Sequence, residues 1–529
     1  MVIGWSLRRK RLRDGLRQQG RRFAPLFSAN PVRDYPLNGR TCSDIAELQV
    51  WAVTVDVARR LTAEPSRPAI EVLRLSSSAD QSKEFKLATD TASKFLYLDN
   101  YRGFSDVVVP LLDVNFLVGE NSTGKTSLLS LIKLLSNPAL LMGKMFTNEE
   151  IDFGHFNEMV SAHATNRTYF RIGFVEERPK PDDENENEVI GFLLTYKEHF
   201  GMPRVSAVTL SVGAVEVTVH YVGDEIRFQG ALLPRMPTTE SMVNSLRRWS
   251  DDHGRDSAHL EKLNLEDIGD WRGEIPLYFV LFNAAKTLGA EGKAISMPLP
   301  SFSNRLIWIA PIRTKPRRTY DEPMTPFSPE GTHTPYVIRR LLNSSSDARR
   351  FEKFMREVGR DSGLFESITI KSFEKAGDAP FEVDAVLDDK ALNLSWVGYG
   401  VSQALPIFVE LLDRQSGSWF AIQQPEVHLH PRAQACLGDV FFEMAVRDRK
   451  RFIIETHSDF TIDRFRMNYR QTKREDALPP DGQILFFERR STRNTVTSLP
   501  IGARGQLPPD QPQGYREFFV NEEIRLLES

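Results

Sequence analysis

This sequence contains little cysteine, no long apolar run and no excess of basic charge. Its 529 residues include only two cysteines, Cys42 and Cys436, which argues against a disulfide scaffold or a cysteine zinc site and suits a reducing cytosol. No apolar run approaches the ~20 residues that span a bilayer, and the start of the chain lacks the apolar segment of a secretory signal. The net charge of -3 implies that any surface for nucleic acid must be local. We expect a cytoplasmic protein that is not inserted in a membrane.

The remaining composition is that of a globular protein with room for two or three domains. Hydrophobic residues make up 41% and charged residues 26% of the chain, and it contains no internal repeat or sustained heptad pattern. Residues 1–90 are expected to form a basic N-terminal extension that is partly helical or disordered, with a helix near Ser43 to Leu61. Contact of its arginines with nucleic acid or anionic lipid is the alternative.

One stretch fits a phosphate-binding loop (P-loop) without mismatch. Residues 119–126, GENSTGKT, match G-x-x-x-x-G-K-[ST]. The apolar run over 114–118 predicts a buried strand before it, and apolar residues at helical spacing over 126–135 predict a helix after it. Loop amides and a helix N-terminus then face an anion, Lys125 can reach the β- and γ-phosphates, and the Thr126 hydroxyl can bind Mg²⁺. The predicted nucleotide-binding residues are Gly119, Glu120, Asn121, Ser122, Thr123, Gly124, Lys125, Thr126 and Ser127.

The residues around this loop resemble the N-terminal segment of the ATPase domain in a known group of proteins. The stretch FLYLDNYRGFSDVVVPLLDVNFLVGENSTGKTSLL, residues 95–129, predicts a strand, an Asn-aromatic-Arg turn, a strand and then the P-loop strand. This order resembles the ABC-type ATPases of the SMC, RecF and OLD group. The resemblance implies an α/β fold, namely an ABC-type P-loop NTPase with a mixed central sheet, an antiparallel β subdomain and a helical insertion. It also implies ATP and Mg²⁺ as cofactors and a dimer.

The hydrophobic period changes after the P-loop helix. From Tyr169 to Phe228 an alternation with a period of about 2 predicts an antiparallel meander, and residues 238–296 are expected to be helical. We therefore expect an ATPase core over 91–150 and 300–529, interrupted by a β-meander and helical insertion over 151–299. No paired acidic strand ends follow His457, so the Toprim nuclease of OLD proteins is expected to be absent.

A second motif, residues 394–403, precedes an apolar helix over 404–412. Its sequence, LSWVGYGVSQ, resembles the signature loop of ABC-type ATPases, in which a Ser/Gly stretch opens a helix. Physically it offers a helix N-terminus with a hydroxyl cap. The resemblance implies that Gly400, Ser402 and Gln403 approach the γ-phosphate of ATP held by the other subunit of a dimer.

The apolar run over 419–422 ends in polar residues, as a Walker B strand does. Residues 423–431, QQPEVHLHP, resemble the D-E-P-E-x-x-L-H-P stretch of OLD and RecF-like ATPases. Gln423 stands where the Mg²⁺-linked acid is expected, and Gln424 where the water-activating glutamate is expected. Glu426 is the carboxylate that remains, and we take it as the candidate base; the alternative is slow turnover with a glutamine positioning the water. The histidines at 428 and 430 are expected to be structural rather than metal ligands.

The run RFIIETHS, residues 451–458, resembles the strand that carries the switch histidine of ABC-type ATPases. His457 would lie at the carboxyl end of a strand and could donate a hydrogen bond to the γ-phosphate. The predicted catalytic residues are thus Glu426, Gln424 and His457, and the predicted metal-binding residues are Thr126 and Gln423. A separate arginine cluster either holds phosphate or a nucleic-acid backbone or pairs with surface acids; it comprises Arg313, Arg317 and Arg318.

Three function hypotheses remain open on the sequence. The first is Mg²⁺-dependent ATP hydrolysis by a dimeric switch for a nuclease or other effector, as in the stand-alone ATPases of bacterial anti-phage defence that this chain resembles. The second is a RecF-like repair ATPase that binds DNA through its arginines. The third is a nucleotide sensor with little hydrolysis, which the glutamines Gln423 and Gln424 suggest.

Overall fold

The structure, a computed structural model, describes residues 92–518 with internal gaps. The gaps are residues 143–146, 149–150, 153, 181–185, 224, 258, 265–275, 289–297, 304, 322–324, 374–378 and 472–477. The predicted basic extension over residues 1–90, with its expected helix near Ser43, lies outside the described residues.

The helices and strands below are those of the described residues. The strands are β1 (Lys94–Asp99), β2 (Val107–Leu111), β3 (Val114–Gly119), β4 (Thr147–Asn148), β5 (Ile151–Asp152), β6 (Tyr169–Pro179), β7 (Asn187–His199), β8 (Met202–Val212), β9 (Val215–Val222), β10 (Glu225–Leu232), β11 (Glu261–Lys262), β12 (Leu306–Ile309), β13 (Ser367–Ser372), β14 (Phe381–Leu387), β15 (Lys390–Asn393), β16 (Trp419–Gln423), β17 (Arg451–Glu455), β18 (Gly482–Arg490) and β19 (Arg493–Pro500). The α-helices are α1 (Lys125–Ser136), α2 (Phe156–Met159), α3 (Thr239–Gly254), α4 (Leu277–Thr287), α5 (Thr334–Asn343), α6 (Asp347–Ser362), α7 (Tyr399–Asp413), α8 (Pro431–Asp448), α9 (Asp459–Gln471) and α10 (Gln513–Phe518).

A six-stranded sheet carries the P-loop at the end of β3. Its strand order is β12-β16-β17-β3-β18-β19, and every neighbouring pair is parallel except β18 and β19. The inner strands are apolar almost throughout because both faces of the sheet are covered. In β3, Phe116 packs into one core cluster and Leu117 into the other. The carboxyl ends of β3, β16 and β17 meet at one edge, which is where open α/β sheets bind ligands.

Helices cover the two faces of this sheet. One core cluster joins the sheet to α5, α6, α7, α8 and α9, and the other joins it to α1 and to the antiparallel sheet. The spacing of leucines predicted α1, and Leu128, Leu131 and Leu135 are fully buried along one side of it. No helix in the described part of the chain is long and apolar enough to cross a bilayer.

An eight-stranded antiparallel sheet follows the order β11-β10-β9-β8-β7-β6-β1-β2. The predicted meander is present as β6 to β10, and α3 packs on it with Trp249 buried against Gly191. Strand β1 pairs with β6, so the strands before the P-loop belong to this same sheet. The predicted fold class, with its mixed central sheet, antiparallel β subdomain and helical insertion, is confirmed. The domain boundaries at residues 150 and 300 stay a prediction.

Candidate functional site

The P-loop joins the end of β3 to α1 at the carboxyl edge of the parallel sheet. Two of its glycines have positive φ, 148° at Gly119 and 101° at Gly124. A Cβ at Gly119 would lie 2.2 Å from the carbonyl oxygen of Phe487, and one at Gly124 would lie 2.4 Å from the ring of Phe104. Both positions therefore require glycine, because β18 and the turn after β1 press against the loop.

The Lys125 side chain is buried and lies back over the loop. Its Nζ donates hydrogen bonds to the carbonyl oxygens of Gly119 at 2.7 Å and Glu120 at 2.8 Å. Burial lowers the pKa of Lys125, and the charges of Glu455 and Glu120 oppose that shift. Helix α1 begins at Lys125, so its first amides lack helical carbonyl partners. The loop thus offers a cation and several N–H groups to an anion.

The ends of β16 and β17 lie next to the P-loop. Gln423 ends β16 and pairs with Glu455, which ends β17 and pairs in turn with Leu117 of β3. The Glu455 carboxylate accepts a hydrogen bond from Gln423 Nε2 at 3.1 Å and from Thr126 Oγ1 at 3.4 Å. Glu455 was not among the predicted residues, although an acid at the end of an apolar strand was a signal for it.

Glu426 lies beside the loop that follows β17. Its carboxylate accepts hydrogen bonds from Thr456 Oγ1 at 2.8 Å and from the backbone N–H of His457 at 2.7 Å. Gln424, whose φ is 43°, donates its backbone N–H to the carbonyl oxygen of Glu455 at 2.8 Å. The structure thus brings Glu426, Gln424 and His457 to one edge of the sheet, while their catalytic roles stay predictions.

His457 is half-buried and close to three charged groups. Burial and the charge of Lys125 lower the pKa of His457, while Glu426 and Glu455 oppose the shift. The imidazole is therefore neutral at pH ~7 and keeps one N–H donor and one acceptor. In that state it can donate a hydrogen bond to a phosphate oxygen.

The predicted signature residues contact other parts of the chain. Ser402 Oγ donates to the carbonyl oxygen of Tyr399 at 2.9 Å, and Gln403 exchanges two hydrogen bonds of 3.2 Å with the backbone of Arg313. Gly400 packs against the Walker B loop. Among the described residues, no hydrogen bond joins Gly400, Ser402 or Gln403 to the P-loop. Within one chain the side chains of Ser402 and Gln403 therefore bond to Tyr399 and Arg313 rather than to the P-loop.

Arg313 connects α7, which carries Gln403, to β16, which ends at Gln423. Its Nη2 donates to the carbonyl oxygen of Gln423 at 3.0 Å, and its Nε and Nη1 have no hydrogen-bond partner in the described ranges. Burial lowers the pKa of Arg313 to about 10, and the charge of Glu426 opposes that shift. At 3% exposure Arg313 cannot present its charge to a nucleic-acid backbone. Arg317 and Arg318 of the predicted arginine cluster are exposed.

The oxygen donors at this edge fit Mg²⁺. Within the described ranges, no three histidine, cysteine, aspartate or glutamate side chains group as metal ligands. Mg²⁺ needs no such group, because it takes one or two protein oxygens together with phosphates and waters. The Thr126 hydroxyl and the Glu455 carboxylate are two such oxygens in contact with each other. His430 instead caps α8, where its Nδ1 accepts the backbone N–H of Ala433 at 3.4 Å.

Two family models match parts of the chain. Residues 94–198 match a model described as "AAA ATPase domain", and residues 314–463 match one described as "AAA domain, putative AbiEii toxin, Type IV TA system". The first match contains the P-loop, and the second contains the segments predicted to be the signature, Walker B and switch motifs. These two matches confirm the resemblance to P-loop ATPases. No curated protein matches this sequence.

Solved structures of SMC heads are also similar to this chain. An SMC head bound to the C-winged helix domain of ScpA is 11% identical, with 77% of this chain and 97% of that chain covered and a TM-score of 0.37. The SMC head domain from Thermotoga maritima is 10% identical, with 77% and 99% covered and a TM-score of 0.34. Scores this low do not establish a shared fold, so the fold class rests on the strand order and the motif positions.

Proposed function

We propose that this chain binds Mg²⁺-ATP and hydrolyses it. The observation that carries the proposal is the complete P-loop, whose Lys125 and Thr126 lie at the sheet edge where the Walker B and switch segments also end. The match of two segments to ATPase models supports the same activity. Mg²⁺, when bound, would neutralise charge on the phosphates.

Each residue's proposed role follows from its position. The loop amides bind the phosphates, and Lys125 exchanges its two loop carbonyls for phosphate oxygens. Glu426 accepts a proton from the attacking water, and Gln424 orients that water. His457 donates a hydrogen bond to the γ-phosphate from its neutral imidazole.

Lys125→Ala tests the proposal directly. We expect it to abolish ATP binding in isothermal titration calorimetry and, with it, phosphate release, because the loop loses its cation. The matched control is Lys353→Ala on the exposed face of α6, which should change neither quantity. Circular dichroism establishes that both variants fold. Unchanged ATP affinity in a folded Lys125→Ala protein would refute the proposal.

We further infer that ATP joins two copies and that the dimer switches a partner effector. The resemblance of residues 394–403 to a signature loop supports the dimer, as do the exposed Trp396 (68%) and Tyr399 (54%) beside the start of α7. We place this switch in bacterial anti-phage defence, in the cytoplasm, with a nuclease or other effector as partner; the toxin–antitoxin description of one matching model supports the defence role alone. Light scattering of Glu426→Gln at saturating ATP should show dimers, and a strictly monomeric protein would contradict the inference.

Two other functions are distinguished by simple measurements. A nucleotide sensor with little hydrolysis is favoured by Gln423 and Gln424, since an amide cannot take a proton from water; tight ATP binding without phosphate release would support it. A RecF-like DNA-binding ATPase would have to rely on Arg317 and Arg318, because Arg313 is buried. Salt-dependent DNA binding by the purified chain would support that function.

A further inference from the structure

Glu455 is a buried carboxylate without a direct counter-ion. It is 5% exposed, and in the described part of the chain no lysine or arginine forms an ion pair with it. Within the described ranges, its Oε2 accepts hydrogen bonds only from the neutral groups of Gln423 and Thr126. A buried charge that is held in this way is unfavourable unless a cation joins it.

Lys125 is not a direct counter-ion of Glu455. Its Nζ is directed to the carbonyl oxygens of Gly119 and Glu120, so it acts on Glu455 only through its more distant charge. When Lys125 turns to the phosphates of a nucleotide, Glu455 faces additional negative charge. A divalent cation held on those phosphates would supply the positive charge that Glu455 lacks.

The strand order places Glu455 between the two motifs that normally hold the metal. Strand β17 lies between β16 and β3, and Glu455 is in register with Gln423 on one side and Leu117 on the other. The Gln423 side chain cannot carry a negative charge, and its Nε2 already donates to Glu455. The carboxylate that contacts the Thr126 hydroxyl therefore comes from β17 rather than from the Walker B strand.

We propose that Glu455, with the Thr126 hydroxyl, orients Mg²⁺ on the bound phosphates, and that Gln423 is a positioning residue that holds the Glu455 carboxylate in place. This inference rests on the Mg²⁺-ATP binding proposed above and names the acid that the motif at Gln423 lacks. Removing a residue that holds a metal ligand in position lowers metal affinity roughly 10–100-fold, and removing the ligand itself lowers it at least as much.

The test measures metal binding rather than turnover. Mn²⁺ is titrated into the protein bound to a non-hydrolysable ATP analogue, and free Mn²⁺ is followed by electron paramagnetic resonance. Glu455→Gln keeps the shape of the side chain and removes its charge, so we expect Mn²⁺ affinity to fall ~10–100-fold. Affinity for the analogue in EDTA should not fall, because the loop and Lys125 are unchanged.

Three further variants complete the test. The swapped variant Gln423→Glu/Glu455→Gln returns a carboxylate to the Walker B strand and should recover Mn²⁺ affinity. Asp113→Asn is the matched control, since it removes one charge at the opposite edge of the same sheet, where Asp113 lies 3.1 Å from Arg451, and should bind Mn²⁺ as wild type does. If Glu455→Gln does not fold, Glu455→Asp, which draws the carboxylate back by one methylene, should weaken Mn²⁺ binding in the same direction.

The outcomes separate this inference from the proposed function. A wild-type protein that does not bind the analogue would refute the proposed function itself. Normal binding of the analogue with unchanged Mn²⁺ affinity in Glu455→Gln would overturn the role of Glu455 and leave the ATPase proposal standing. Loss of analogue binding in EDTA would also overturn it, because the variant would then have damaged the loop rather than the metal site.

Discussion

Replacing Glu426 with glutamine tests whether this carboxylate is the base of the reaction. In the native protein it accepts hydrogen bonds from the Thr456 hydroxyl at 2.8 Å and the His457 N–H at 2.7 Å. The glutamine oxygen can keep the bond from His457, and its amide can donate to the Thr456 hydroxyl. The substitution therefore removes the charge and the capacity to take a proton while changing the geometry little.

The expected magnitudes follow from those two contacts. Hydrogen bonds to a charged group contribute about 1.5–3 kcal/mol each, roughly twice as much as neutral ones. Exchanging two of them for neutral bonds should lower the free energy of unfolding by about 2 kcal/mol. Loss of a general base should lower turnover by ~10²–10⁴-fold. ATP affinity should change little, because neither contact involves the P-loop.

Phosphate release, ATP affinity and urea unfolding are measured on the same preparation of Glu426→Gln. The control is Glu443→Gln, which makes the same chemical change on an exposed face of α8 where Glu443 pairs with Arg447. Wild-type turnover in a folded Glu426→Gln protein would refute the reasoning. Glu426 would then serve only to tie the Walker B loop to the loop after β17, and the base would lie elsewhere.

Three other perturbations have defined outcomes. Gln424→Glu should raise basal phosphate release because it restores a carboxylate beside the attacking water, and a decrease would contradict this. Burial and Lys125 lower the pKa of His457, so NMR should place it below 6.5 and show it rising in Lys125→Ala. Because that pKa is lowered, the stability linked to neutral His457 is complete above pH 6.5 and declines as the pH falls toward the folded value. Gly124→Ala should abolish ATP binding and lower the free energy of unfolding by about 2–4 kcal/mol through backbone strain and overpacking. Gly417→Ala, with positive φ but open space, isolates the backbone strain in urea unfolding.

Contiguous patterns in the sequence were sufficient to predict the P-loop with its flanking strand and helix, and the family resemblance of residues 95–129 implied the fold class. Residues 119–126 lie between an apolar run and an apolar helix, and each of these elements depends on neighbours a few residues away. The meander from β6 to β10 was predictable for a similar reason, because antiparallel strands joined by short turns pair with their neighbours in sequence. Glu426 and His457 could be assigned to one sheet edge because both follow buried strands.

Only the tertiary structure decided which side chains meet at that edge. Thr126 and Glu455 are 329 residues apart in sequence, and they meet because β17 lies between β16 and β3. The order of parallel strands depends on long crossover connections and leaves no local pattern in the sequence. Arg313 was interpreted as one of three arginines that hold phosphate or a nucleic-acid backbone or pair with surface acids, yet it is buried and its backbone pairs with Gln403 of α7. Burial and pairing between distant segments are products of long-range packing. The motif suggested Gln423 as a metal-binding residue, and only the folded chain shows that the Glu455 carboxylate lies beside both Gln423 and Thr126.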